Sequence, residues 1–204
     1  MRPQVARILF DFDGVLAPYR HDRRIASLAG WAGCSTTTVR EVLFASGLER
    51  DYDGGAIDTA RYLDRLGAGI GRPVDEATWI AARLAGSVAE AAMLDRIAAL
   101  DPALELAVLT NNGVLLEQAI PRILGAVAAR FEGRVLCSGA LQVRKPDPAV
   151  FARALDRLGW PVSGTLFVDD IFANVQAARR FGLHAETVKD ARSLGRVLRR
   201  CTLG

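Results

Sequence analysis

From residue 104 onward the chain alternates a short apolar run with a helical stretch, four times over. "LELAVLT" (104–110) closes in "NNG", which predicts a strand running into a loop. A helical stretch follows, disturbed at Pro121. "RVLCSG" (134–139), "GTLFVDD" (164–170) and "HAETVK" (184–189) read as three more strands. Helices separate and follow them at 147–159, 172–182 and 191–200. The first of these three has Asp147 as N-cap, Pro148 in its first turn and Gly159 as its stop; Gly182 stops the second. A further strand, "ARILFDF" (6–12), opens the chain. Strands that alternate with helices must be joined by crossovers. The chain is therefore expected to be α/β, with a Rossmann-like parallel sheet flanked by helices on both faces.

Between the first strand and residue 104 the pattern is helical, at about 22–32, 35–46, 56–70, 75–90 and 92–100. This predicts a small all-helical cap inserted after strand one. The expected division is a catalytic core of residues 1–16 and 91–204 with a cap of residues 17–90. "DYDGG" (51–55) reads as a turn between cap helices.

Polar residues cluster where the predicted strands end. Asp11 and Asp13 end the first, Thr110, Asn111 and Asn112 the second, and Asp169 and Asp170 the strand at 164–170. Lys145 lies in the loop after the strand at 134–139. A parallel sheet brings these ends to one edge, where such folds bind ligands. Four carboxylates in one place repel one another, and one lysine does not balance them. A hard divalent cation does, and Mg²⁺ favours a few carboxylates together with phosphate oxygens. The expected site therefore takes a metal and a phosphate together.

Lysine itself is informative here. Of 26 basic residues only Lys145 and Lys189 are lysine. A compact ammonium fits between a carboxylate and a phosphate where a planar guanidinium fits poorly. The net charge of +3 is scattered, and no dense basic patch or aromatic platform points to nucleic acid. Three dispersed cysteines give neither a disulfide framework nor a zinc spacing. With no apolar leader or membrane-length run in the sequence, the expected location is the cytoplasm, with no membrane partner. His21 reads as a loop histidine beside Arg20, Arg23 and Arg24, and Trp31, Trp79 and Trp160 as packing residues.

Four motifs in order, "DFDGV" (11–15), "LTNN" (109–112), "RKPDP" (144–148) and "VDD" (168–170), resemble those of the haloacid dehalogenase superfamily of hydrolases. The helical insert sits where that family's first-position cap belongs. "LTNN" and "VDDIFANVQAARRFG" are similar to the branch holding the soluble epoxide hydrolase phosphatase domain and bacterial sugar-phosphate phosphatases. The resemblance implies Asp11 as nucleophile and Asp13 as general acid and base. It implies Mg²⁺ held by Asp11, the Asp13 backbone carbonyl and Asp170, with Asp169 acting through water or on Lys145, and Asn174 orienting the metal's surroundings. It places Gly14, Thr110, Asn111, Asn112 and Lys145 around the phosphate.

An aspartate at position 13 favours phosphate chemistry, because a halide leaving group needs no proton. The expected activity is Mg²⁺-dependent hydrolysis of a small phosphorylated metabolite, a sugar phosphate among the candidates, through an aspartyl-phosphate. A phosphomutase on the same scaffold and a non-catalytic metabolite-binding or scaffold protein are the alternatives.

Overall fold

The computed structural model describes residues 5–201. Five strands form one parallel sheet in the order β3-β2-β1-β4-β5. They are β1 (Arg7–Phe10), β2 (Glu105–Thr110), β3 (Val135–Cys137), β4 (Thr165–Asp169) and β5 (His184–Thr187). β1 is central, with Phe10 in register with Val108 on one side and Val168 on the other. Its side chains alternate between two cores, as a period of two requires. Ile8 and Phe10 join Leu106, Val108, Leu166 and Val168 on one face, and Leu9 joins Ala107, Leu109 and Phe167 on the other. These strands are buried on both faces, which explains their nearly continuous apolar sequences.

The helices that cover the sheet follow the expected pattern. α7 (Leu116–Leu124) and α11 (Ala191–Arg200) contribute Leu116, Ile120, Leu194 and Leu198 to the first face. α9 (Pro148–Leu158) and α10 (Phe172–Phe181) contribute Phe151, Leu155, Val175 and Ala178 to the second. Asp147 caps α9 by accepting from the Ala149 amide. Pro121 lies inside α7 without ending it.

Between β1 and β2 run α1 (His21–Ala32), α2 (Thr36–Arg40), α3 (Leu48–Asp53), α4 (Thr59–Ile70), α5 (Glu76–Gly86) and α6 (Ala91–Ala98). The two chain segments that bound the first five are paired. Tyr19 bridges Ser87 in antiparallel fashion, and the Arg20 amide donates to the Gly86 carbonyl at 2.8 Å. Among the described residues no helix is long and apolar enough to cross a membrane.

Three local expectations need correcting. The helix expected over 35–46 changes winding at Glu41, and residues Glu41–Ala45 form a π-helical turn. "DYDGG" is not all turn: Asp51, Tyr52 and Asp53 complete α3, and only Gly54 and Gly55 turn. The opening strand stops at Phe10 rather than continuing to residue 12. Its last backbone pairing is the Asp11 amide to the Val168 carbonyl. The chain then folds back on itself, with the amides of Leu16 and Ala17 donating to the Phe12 carbonyl. Asp13 thus reaches the sheet edge through a tight turn and not by alternation along a strand.

Candidate active site

The turn after β1 places Asp11 and Asp13 over the carboxyl ends of β2 and β4. Gly14, in that turn, has φ of +84°, a left-handed backbone that glycine adopts at little cost. A Cβ there would stand 2.5 Å from Asp170 Oδ2, so glycine also makes room for that carboxylate. Asp11, Asp13, Gly14, Thr110, Asn111, Asn112, Lys145, Asp170 and Asn174 all line one cavity of about 490 Å³. Asp169 lies beneath the floor with no exposed surface.

Lys145 organises this floor. Its Nζ lies 2.7 Å from Asp11 Oδ1 and 2.7 Å from Asp169 Oδ2, and donates to the Leu109 carbonyl at 2.9 Å. Burial opposes the ammonium charge, but Asp11 and Asp169 outweigh it and raise the Lys145 pKa. Asn111 locks the lysine's backbone in both directions. Its Nδ2 donates to the Lys145 carbonyl and its Oδ1 accepts from the Lys145 amide, each at 2.9 Å. The Asn111 side chain is therefore committed to the loop. Asn174 donates to both oxygens of Asp169, at 3.1 and 3.0 Å, which fixes Asp169 against Lys145.

The carboxylates are electrostatically crowded. Burial, then the charges of Asp169 and Asp13, push Asp11 up to about 8 against the pull of Lys145. Burial and Asp169 raise Asp170 as well. Asp11, Asp169 and Asp170 present oxygens within 4.8 Å of one another. Asp170 Oδ1 is buried and has no hydrogen-bond partner. An unpartnered buried carboxylate oxygen beside two others suits a hard cation, which would satisfy the lone pairs and offset the repulsion. Asp11 Oδ1 accepts from the Phe12 amide at 2.7 Å in addition to Lys145, leaving Oδ2 as the less committed oxygen.

Asn112 lines the cavity and is engaged there by two side chains. Its Nδ2 donates to Asp13 Oδ2 at 3.0 Å and to Thr110 Oγ1 at 2.7 Å, so it braces the second aspartate against the threonine. The other Asp13 oxygen accepts from Arg83 on α5.

The far wall comes from the helical insert; Tyr19, Phe44 and Glu49 escaped the sequence reading, and His21 and Asp53 were read there only as loop and turn residues. Tyr19, His21, Phe44, Glu49 and Asp53 line the cavity. His21 packs between Tyr19, with the rings tilted and their centroids 4.3 Å apart, and Phe44, edge-on at 5.4 Å. Its pKa is lowered by burial and by Arg24. Arg24, one of the arginines expected beside His21, is buried and bonded to Glu49, Tyr19 and Tyr62. Tyr62 donates to Glu49 and accepts from the Trp79 indole, so one polar network fixes Glu49 at the cavity wall.

Asp53 docks α3 onto the core. Its Oδ1 accepts from the Gly113 amide at 2.8 Å, just past the "LTNN" loop. Tyr52 packs its ring where a Gly113 Cβ would stand, and its hydroxyl accepts from the Leu115 amide. Burial, then the charge of Glu49, push Asp53 up to about 8. A carboxyl whose pKa rises on folding gives stability that is full below its unfolded value and is lost as pH climbs through the folded value. Asp53→Asn keeps the acceptor for Gly113 without the charge. Its melting temperature, matched to the parent near pH 5, is expected to exceed the parent's by about 2–4 °C at pH 8.5, the equivalent of about 1 kcal/mol.

Comparison with known proteins gives this geometry a context. The family described as haloacid dehalogenase-like hydrolase matches residues 5–182. No curated protein matches the sequence. A solved structure of a predicted HAD-like family hydrolase from Porphyromonas gingivalis is similar at 25% identity and a TM-score of 0.77, over 96% of this chain and 98% of that one. A HAD family enzyme from Bacteroides thetaiotaomicron, in complex with magnesium and inorganic phosphate, is 22% identical with a TM-score of 0.73, over 91% and 94% of the two chains. A 2-haloacid dehalogenase from Pseudomonas syringae is 18% identical with a TM-score of 0.68, over 96% and 99%.

Proposed function

The chain belongs to the haloacid dehalogenase-like hydrolases, and within that family we propose that it is a Mg²⁺-dependent phosphomonoesterase acting on a small phosphorylated metabolite. One observation carries the reading. Asp13 sits beside Asp11 at the sheet edge with both oxygens held by Asn112 and Arg83, so a second carboxyl is kept over the reacting position. Displacement of a halide has no use for it; departure of an alcohol does.

In this reading Asp11 Oδ2 attacks phosphorus and the bond to the leaving oxygen breaks. Asp13 gives its proton to that oxygen, then takes one from the water that hydrolyses the aspartyl-phosphate. The Asn111 amide and Thr110 Oγ1 hold phosphoryl oxygens, and Lys145 offsets their charge from the Asp11 side. Asp11, Asp170 and the Asp13 carbonyl would hold Mg²⁺, which supplies charge neutralisation at the phosphoryl group. Asp169 keeps Lys145 in place. Residues 17–90 act as a cap that shields the reaction from bulk water. The aromatic edge of Tyr19, His21 and Phe44 and the carboxyl groups of Glu49 and Asp53 suit a compact leaving group rich in hydroxyls, such as a sugar phosphate. The site has the character of a small-molecule pocket, with no nucleic acid or membrane required.

The test is phosphate release from a panel of small phosphomonoesters, with Mg²⁺ and with chelator. Release is expected with Mg²⁺ and a loss of at least about 10²-fold on chelation. Conversion of a substrate to its positional isomer without free phosphate would favour a mutase instead. Halide release from 2-haloacids without phosphate release would overturn the reading.

A further inference from the structure

The motif "RKPDP" gives Lys145 to the floor of the cavity, and its first residue lies toward the far wall. Arg144 is half-buried and lines the same cavity. Its backbone is fixed on both sides. Its carbonyl accepts from the Asp147 amide at 2.9 Å, and the Lys145 amide that follows is held by Asn111. Its side chain leaves the core loop toward the insert: a Cβ on Gly54, at the end of α3, would stand 3.8 Å from Arg144 Cδ. Lys145 is paired with two carboxylates. Among the described residues no carboxylate pairs with the Arg144 guanidinium and no hydrogen bond holds it. A second guanidinium, Arg50 in the first turn of α3, lines the cavity from the insert. It folds over Gly47, and its ionic contact is Asp51 at 3.4 Å with 74% of the side chain exposed, a pairing worth little.

The acidic groups of that wall do not balance these two. Both oxygens of Glu49 are taken by the buried Arg24 and by Tyr62. Asp53 spends Oδ1 on the Gly113 amide, and burial, then Glu49, push its pKa up to about 8, so it is largely uncharged at neutral pH. His21 adds no charge there, because burial and Arg24 lower its pKa. The wall opposite the phosphate site thus carries uncompensated positive charge on a fixed loop. A guanidinium fork is best satisfied by an anion that offers it two oxygens. We propose that Arg144, assisted by Arg50, is a specificity-determining residue, and that the substrate is a phosphomonoester whose leaving group carries a second anionic group, a carboxylate or a second phosphate. The inference rests on the phosphomonoesterase reading and narrows its small metabolite to a class. The second anion lies away from phosphorus, so its contact supplies binding energy and leaves the bond changes to the floor.

The experiment measures kcat/KM for phosphate release, with saturating Mg²⁺, on two matched pairs. Glycerol 3-phosphate and 3-phosphoglycerate differ by a carboxylate. Fructose 6-phosphate and fructose 1,6-bisphosphate differ by a phosphate. The parent is expected to favour the charged member of one pair by at least about 10-fold, and that pair identifies the anion. Arg144→Met should lower kcat/KM for the favoured ester by about 30-fold, and for its neutral-tailed partner by less than about 3-fold. Arg144→Lys keeps the charge without the fork. It should fall between the two, and it carries the same comparison if the Met variant does not fold. A parent that favours neither charged member, or a variant that loses equally on both members of a pair, would overturn the inference and make Arg144 a structural neighbour of Asp53. Release from a neutral-tailed ester would in that case leave the phosphomonoesterase reading standing. No phosphate from any of the four esters would overturn that reading and this inference with it.

Discussion

Lys145→Met is expected to lower the stability of the metal-free protein by about 3–5 kcal/mol, a fall in melting temperature of about 6–20 °C. The size follows from what the ammonium touches. Its side chain is 1% exposed and its Nζ contacts Asp11 and Asp169 at 2.7 Å each. Methionine fills nearly the same volume but leaves two carboxylates buried, mutually repelling and without a counter-charge. Without a bound cation the protein relieves this by taking up protons, so the deficit should shrink as pH falls toward 5 and grow toward 8. Added Mg²⁺ should recover part of the loss in the variant, because the same carboxylates would hold it. Melting curves at several pH values, with chelator and with Mg²⁺, test all three expectations. A variant as stable as the parent in chelator would show that Lys145 does not balance the floor. In the proposed reaction turnover should fall by about 10³-fold or more even where the variant is folded, since the charge that would face the phosphoryl group is gone.

Lys145 also shows what made the floor of the site legible in the sequence. A rare lysine in an arginine-rich chain, acidic pairs closing apolar strands, and alternation that forces those strands parallel are all local signals, and the sheet converts them into proximity. The expected positions of Asp11, Asp170 and Thr110 follow from strand ends alone. The wall of the site had no such signal. Arg83 meets Asp13 across 70 residues, and Asp53 meets the Gly113 amide across 60. Both contacts depend on how the helical insert is seated, which no periodicity encodes. Arg24 and Arg83 were hidden by the same composition that exposed Lys145, because a buried arginine among 24 arginines has no distinguishing mark. The "DYDGG" segment misled for a different reason. Its glycines do turn the chain, but Asp51, Tyr52 and Asp53 complete α3, and Tyr52 and Asp53 dock it onto the core.

Asp11→Asn should separate activity from stability, with the two moving in opposite directions. Turnover of any phosphomonoester should fall by about 10⁴-fold or more, because an amide oxygen does not form the covalent intermediate. The variant should nevertheless be more stable than the parent in chelator, by about 1–2 kcal/mol. Asparagine retains an acceptor for the Phe12 amide and for Lys145, which now balances Asp169 with less competition. It removes one charge from a set that includes Asp13, Asp169 and Asp170, and with it the carboxyl whose pKa burial, then the charges of Asp169 and Asp13, push up to about 8. Catalytic residues held against their own preference commonly show this trade between function and stability. Thermal melts in chelator and single-turnover assays with Mg²⁺ measure the two halves independently. Loss of activity together with loss of stability would mean that Asp11 serves the fold as a partner of Lys145. Retained activity with increased stability would mean that the nucleophile lies elsewhere. Only the combination of abolished turnover and increased stability matches a carboxylate that the fold holds at a cost for the sake of the reaction.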